Sequence, residues 1–366
     1  MVASGDGPLT PGERSARWRL IRSERIGPLS CIGLVERFGS AEAATAALID
    51  GTIAAPGVRL APAATAAREE ERLAALGGWA LVWGEPDYPA ALAATTDPPI
   101  VLTGRGRRDL LARPMVAVVG ARNASGAGRR FAETLAADLG AAGFVVVSGM
   151  ARGIDAAAHR GALTTGTAGV LATGIDVVYP EENRSLHDRL GVDGLLLSEA
   201  QPGSQPRAEQ FPRRNRIVAG LAFGVVVVEA AERSGSLITA RLAVEQGREV
   251  FAVPGSPLDP RCKGTNGLIR KGATLVESAA DVVEVLRPQA ASPRPARRWE
   301  TASTANPDDA DGDLGRIVEH LGPTPLSVDE LVRQCQLSQA AVAAVLLELE
   351  LAGRLERHPG HKVSLR

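Results

Sequence analysis

Between about residues 114 and 286, short apolar runs alternate with helical patterns, and this alternation limits the fold more than any other feature. The runs are Val116–Val119, Phe144–Val147, Gly169–Ala172, Leu195–Leu197, Val225–Val228, Val250–Val253 and Ala273–Val276. Helical patterns such as Gly128–Leu139, Asp155–Leu163, Asn183–Leu190 and Leu237–Gln246 fall between them. Valine-rich runs without polar alternation predict strands buried on both faces. Strands that alternate with helices predict an α/β fold: an extended Rossmann-like, mostly parallel sheet with helices on both faces. In such a sheet, ligands bind beyond the carboxyl ends of the strands.

The flanks read differently, which divides the 366 residues into four parts. Residues 1–78 form short amphipathic helices with turns at Ile26-Gly27-Pro28 and Phe38-Gly39-Ser40. That spacing is similar to helix-hairpin-helix and sterile-alpha-motif modules, or to a plain helical packing domain. Residues 79–286 carry the sheet, with Trp79–Val82 and Ile100–Leu102 as lead-in strands. Residues 287–312 are rich in Pro, Ala, Ser and Asp, and predict a disordered linker. Residues 313–366 predict helices at Leu314–Leu321, Ser327–Cys335 and Ser338–Ala352, then a hairpin at Arg354–Val363. Three helices and a hairpin describe a winged helix.

The formal net charge of −1 gives no global field toward nucleic acid or membrane, so a basic site must be local. No apolar run reaches the roughly 18 residues of a membrane span, and the N-terminus has no basic and apolar leader, so a soluble cytoplasmic protein is expected. Cys31, Cys262 and Cys335 are scattered, and no His set stands at ligand spacing. Neither a disulfide framework nor a metal site is expected, and no cofactor is. Lys263, Lys271 and Lys362 are the only lysines, so an arginine cluster carries less weight here than usual.

Five polar clusters each follow a strand. In the first, Gly120, Ala121 and Arg122 lead to Ser125 at a helix start. Free N–H groups and a guanidinium there suit a phosphate. The second and third glycines of a dinucleotide fingerprint are missing. The second cluster runs Ser148-Gly149-Met150-Ala151-Arg152-Gly153-Ile154-Asp155, then His159. Asp155 and His159 at i,i+4 are either an acid–base pair or a cap orienting a neighbour. The third is Phe211-Pro212-Arg213-Arg214-Asn215-Arg216. An aromatic beside cations suits base stacking and backbone tracking; otherwise Phe211 is core and the arginines are a solvated face. In the fourth, Glu229 precedes Ser234-Gly235-Ser236 and either binds a ribose or orders the loop. The fifth is Pro254-Gly255-Ser256, leading to Lys263.

Together these segments, with Val119-Gly120-Ala121-Arg122 and Val253-Pro254-Gly255, resemble the DprA/Smf family of bacterial DNA-processing proteins. The likeness runs through the whole α/β domain, and the flanking modules are similar to parts seen in that family. It implies a protein that binds and protects incoming single-stranded DNA and loads a RecA-type recombinase in natural transformation. It also implies a homodimer formed through the Rossmann-like domain, and no membrane partner. By the same resemblance, the Gly120–Ala121 backbone and Arg122 hold a phosphate. Arg213, Arg214 and Arg216 line a basic channel whose geometry Asn215 fixes, Lys263 extends it, and Phe211 stacks. Ser125, Ser148, Gly149, Arg152, Gly235 and Ser236 complete the expected interface.

No catalytic constellation is visible, so a binder rather than an enzyme is expected. The rival is a nucleotide-processing or nucleotide-sensing enzyme similar to the lysine-decarboxylase-like phosphoribohydrolases. Those use a Pro-Gly-Gly-x-Gly-Thr turn where this chain has Arg233-Ser234-Gly235-Ser236. One further feature departs from a duplex reader. The third helix of the winged-helix segment carries Glu348 and Glu350 and no Lys or Arg, whereas a major-groove helix is basic. That module is therefore expected to contact protein, with any DNA contact through Arg357, His358, His361 or Lys362.

Overall fold

The computed structural model describes residues 8–53, 55, 57–291, 310–358 and 362–366. Helices α1 (Pro11–Ile21), α2 (Pro28–Phe38), α3 (Ala41–Ile49) and α4 (Thr65–Ala75) come first. Their ends follow the turn chemistry. Pro28 opens α2, Gly39 closes it with φ +80°, and the Ser40 hydroxyl accepts the Ala43 N–H at 3.0 Å to start α3. The buried Glu13 carboxylate of α1 accepts the Ala41 N–H at 2.8 Å, and Arg17 braces it at 2.7 Å.

The sheet follows in chain order. Strand β1 (Gly78–Val82), the short α5 (Ala90–Ala93) and β2 (Val101–Gly106) lead to β3 (Met115–Gly120). Then α6 (Gly126–Ala141), β4 (Val145–Ser148), α7 (Ile154–Ala162), β5 (Thr167–Leu171), α8 (Arg184–Asp193) and β6 (Leu195–Ser198) build one side. The other side holds α9 (Gln210–Leu221), β7 (Gly224–Val228), α10 (Gly235–Glu245), β8 (Glu249–Ala252), α11 (Lys263–Arg270), β9 (Thr274–Leu275) and α12 (Ala279–Ala291). The order is β1-β2-β6-β5-β4-β3-β7-β8-β9, parallel from β6 to β9, with β1 and β2 antiparallel at one edge.

The valine runs divide cleanly by pleat. On β3, Val116 and Val118 enter one core layer with Leu135, Leu139 and Ala157, while Ala117 and Val119 enter the other with Ile217, Val218 and Ala240. On β7, Val226 and Val228 join the first layer and Val225 and Val227 the second. Both faces are covered, which is why these strands lack polar alternation.

From β3 the chain moves outward through β4, β5 and β6. It then crosses back to set β7 against the free side of β3. That reversal opens a crevice at the carboxyl ends of β3 and β7.

After this domain come α13 (Ala310–His320), β10 (Leu326–Ser327), α14 (Val328–Cys335), α15 (Gln339–Leu351), β11 (Leu355–His358) and β12 (Lys362–Leu365). They form a winged helix around Ile317, Leu331, Val342, Leu346 and Val363. The expected linker is helical at its start, because α12 runs on through Arg287 to Ala291; residues 292–309 of it lie outside the described residues. The described chain divides into two compact units. The sheet domain, from Glu69 within α4, is one; α1–α3, Gly84–Pro86 and the winged helix together make the other.

On α7, His159 is fully buried, and its Nδ1 donates to Thr167 Oγ1 at 2.7 Å, because that hydroxyl spends its own proton on Val146 O at 2.8 Å. Burial, then the nearby Arg214 and Arg160, push its pKa from 6.5 down to about 3.

Two tests follow from this packing. Phe251 on β8 is fully buried, whereas Val244 on α10 is 66% exposed. Phe251→Ala is expected to lower the unfolding free energy by about 3–5 kcal/mol in urea titrations, and Val244→Ala by less than about 0.5. The unfolded chain protonates His159 near 6.5 while the folded chain keeps it neutral to about 3. Its stabilising contribution is therefore complete above 6.5 and is lost as pH falls toward 3, at about 1.4 kcal/mol per pH unit. Between pH 7.5 and 5.5 the wild type is expected to lose about 1.4 kcal/mol more than His159→Leu; equal losses would clear His159 as the titrating group.

Candidate nucleic-acid interface

The loop after β3 is shaped by two close approaches. Gly120 ends the strand where a Cβ would stand 1.8 Å from Val228 O of β7. Gly153 has φ +73°, and a Cβ there would meet Ala121 O at 2.2 Å. The two loops therefore touch through backbone alone, and Ile154 N donates to Ala121 O at 3.2 Å. Arg122 is left exposed above this junction.

The Arg122 guanidinium sits over the Phe211 ring, 5.5 Å from its centroid. Tyr179 packs against the Phe211 ring, with centroids 5.5 Å apart and planes tilted by 58°. Tyr179 is 45% exposed, and Phe211 is half-buried. A cation, a ring and a second ring thus line the carboxyl side of the sheet. Arg213 is exposed one position past Pro212. Exposed Arg152 forms an ion pair with Glu182. Tyr179 went unremarked in the sequence, although it is one of only two tyrosines and follows a strand's carboxyl end.

Beneath this surface the arginines separate by helical phase. Arg214 lies on the same face of α9 as Ile217, Val218 and Leu221, so it points into the protein and is buried. Its Nη1 donates to the carbonyls of Gly149 and Val170, and its Nε donates to Asn215 Oδ1 at 3.3 Å. Burial pulls its pKa to about 10; Asp155 acts to raise it and Arg122 to lower it further. Arg216 is also buried, with Nε 3.3 Å from Asp97 Oδ2 and Nη2 2.5 Å from Glu199 Oε1. Neither side chain lines a channel. The channel expected of Arg214 and Arg216 is corrected to contacts within the protein, and Asn215 accepts the Nε–H of the buried Arg214.

Ser148 and Gly149 are likewise committed internally. Ser148 Oγ donates to Val118 O at 2.6 Å; the N–H groups of Gly149 and Ala151 both reach Asp155 Oδ2 at 3.2 Å. Burial raises the Asp155 pKa, opposed first by Arg214. Asp155 is therefore a loop-ordering cap and His159 a neutral core residue. They are not an acid–base pair.

The start of α6 is also occupied from within. Glu229, at φ +51°, accepts the Ser125 N–H at 2.8 Å and the Ser125 hydroxyl at 2.5 Å. Ser125 Oγ in turn accepts the Gly128 N–H at 2.8 Å. The carboxylate stands where a bound phosphate was expected and engages both Ser125 donors, so Glu229 orders the loop. The Ser234 hydroxyl caps α10 and meets Ser236 Oγ at 2.7 Å, so Ser236 is buried in the cap while Gly235 stays exposed. Exposed Lys263 begins α11, which is held to the β7 loop by Gly264 N donating to Ala230 O at 2.7 Å. Among the described residues, no group of three His, Cys, Asp or Glu is placed to hold a metal.

Exposed Arg122 and Tyr179 thus meet the half-buried Phe211 ring on the β4 and β5 side of the crevice, and exposed Arg213 follows in the same turn of α9. Gly235 and Lys263 lie on the β7 and β8 side.

Three family models match the chain in order. They are the DprA-like N-terminal HHH domain over residues 11–73, DNA recombination-mediator protein A over 79–287, and the DprA winged helix domain over 301–361. The DNA processing protein DprA of Streptococcus pneumoniae is 50% identical over 198 residues, covering 54% of this chain and 70% of that protein. Protein Smf of Escherichia coli is 39% identical over 288 residues, covering 76% and 75%. The X-ray structure of the Streptococcus pneumoniae protein superposes with a TM-score of 0.59 at 37% identity, over 77% of this chain and 94% of that one. A Helicobacter pylori DNA processing protein A, solved for its single-stranded DNA binding mode, gives 0.53 at 31% identity, over 58% and 96%. With the central model alone matching more than half its length, the chain belongs to the DprA/Smf family of DNA recombination mediators.

Proposed function

We propose that this protein binds single-stranded DNA across the crevice above β3. Bases stack on Phe211 and Tyr179, and backbone phosphates meet Arg122, Arg213 and, farther along, Lys263. The observation that carries this reading is the pair of rings, Tyr179 exposed and Phe211 half-buried, with the Arg122 guanidinium over Phe211 at the sheet's reversal point. Rings accept any base by its π-face, and guanidinium forks accept phosphate oxygens, so the surface suits a strand without regard to sequence. The single-stranded DNA mode of the Helicobacter pylori relative supports the same ligand.

Within this reading the protein is a mediator. It protects the strand and passes it to a RecA-type recombinase during natural transformation, as a homodimer formed through the sheet domain and acting in the cytoplasm. No described helix is long and apolar enough to cross a membrane. The nucleotide-enzyme alternative needs free acid and base groups in the crevice. Asp155, Glu229 and His159 are all engaged in holding loops and core, which favours a binder.

Fluorescence anisotropy with a labelled single-stranded oligonucleotide tests the site. Phe211→Ala is expected to weaken binding by about 5- to 150-fold, the loss of one stacked base. Arg122→Ala and Arg213→Ala are each expected to weaken it and to flatten the log–log salt slope by about 0.7. Binding untouched by all three substitutions would exclude this surface.

Arg214→Ala separates support from contact. It strands Asp155 as a buried charge, so an unfolding free-energy loss of about 3–5 kcal/mol should accompany any loss of affinity. Arg122→Ala, on an exposed residue, should leave the urea midpoint in place. A stable Arg214→Ala protein with selectively lost binding would return Arg214 to the DNA surface.

A further inference from the structure

The winged-helix module poses a separate question: what its third helix, α15, does. In this class of module that helix enters the major groove. Here its sequence is apolar on nearly every side and has no Lys or Arg. A helix apolar all round is stable only when buried all round.

Its own module covers part of it. Val342, Val345, Leu346 and Leu349 lie in the winged-helix core, and Glu350 pairs with Arg357 of β11 at 2.8 Å. Leu347 faces elsewhere. It is only 4% exposed yet stands outside that core, and its Cδ2 lies 3.4 Å from the position of a Cβ on Gly33 of α2. The missing side chain at Gly33 lets the two helices approach. Beside this contact Arg37 of α2 pairs with Glu348 at 3.0 Å. Just past the end of α15, the Arg25 guanidinium lies 2.7 Å from the Cβ position of Gly353, where a cation complements the helix dipole. An apolar contact, an ion pair and an end-on cation thus coincide on one seat, and together they account for the acidic residue Glu348 that a groove-reading helix would not carry.

We propose that α15 is a docking helix whose partner is the N-terminal helical module of the same chain, and that this seat withholds it from duplex DNA. The interaction does not depend on the single-stranded DNA reading of the sheet domain.

The test uses the full-length chain with Arg37→Cys and Glu348→Cys, treated with a short bismaleimide at low protein concentration. The native cysteines Cys31, Cys262 and Cys335 are all buried. An intrachain 37–348 cross-link is expected, formed at least about tenfold faster than with Arg37→Cys and Glu356→Cys, because docking sets a high local concentration at one position only. Leu347→Arg and Gly33→Phe, which disturb the seat from opposite sides, should each slow it, with circular dichroism confirming that helices persist. Saturating duplex DNA should leave the rate unchanged. Equal rates for the two cysteine pairs, insensitivity to both seat variants, or slowing by duplex would overturn the proposal. Cross-links found only between chains would assign the seat to a second copy and overturn it equally.

Discussion

The carboxyl side of the sheet depends on one buried guanidinium. Arg214 reaches from α9 to the carbonyls of Gly149 and Val170, and faces Asp155, which holds the N–H groups of Gly149 and Ala151. A charge placed there is costly unless its partners are complete. Completing them joins α9, the end of β5 and the loop after β4 into one rigid part. Phe211 and Arg213 lie within one turn of Arg214, so their position on the surface follows from a contact beneath it. The closeness of Arg122, which depresses the Arg214 pKa further, places like charges one above the other. An anion at the surface would relieve that repulsion.

A second pattern concerns how this α/β crevice differs from a nucleotide pocket. Such pockets leave helix N-termini open to a phosphate. Here the N-termini are closed by the protein itself: α6 by Ser125 and Glu229, α10 by Ser234, and the loop entering α7 by Asp155. With those donors engaged internally, what the crevice leaves exposed are side chains that extend outward. Long, flexible cations and ring faces follow a chain of phosphates and bases better than they enclose one small ligand.

Much of the fold was legible in the sequence because its determinants are local. Valine runs, helix caps at Ser40 and Ser125, and glycine turns each act within a few residues, and the strands and helices fall close to where those signals put them. Arg122 and Phe211 were legible as site candidates because they stand in strand-to-helix loops or at a helix start. The fates of Arg213, Arg214 and Arg216 were not, since three arginines in one short run look alike until the phase of α9 turns two of them inward. The Glu229 cap spans 104 residues of sequence, and the Arg37–Glu348 pair spans 311. Contacts of that range leave no periodicity to read. Tyr179 was missed for the same reason, because only the fold brings it beside Phe211.

The brevity of β9 has its own consequence. A sheet of parallel strands ends in a row of unpaired backbone groups that another chain can extend. At this margin the last strand is two residues long, Thr274–Leu275, before the chain turns into α12. It offers too little ladder to template a further strand, even with Leu275 44% exposed beside it. The valine-rich interior strands are thereby shielded from uncontrolled growth along this side by a strand too short to recruit a neighbour.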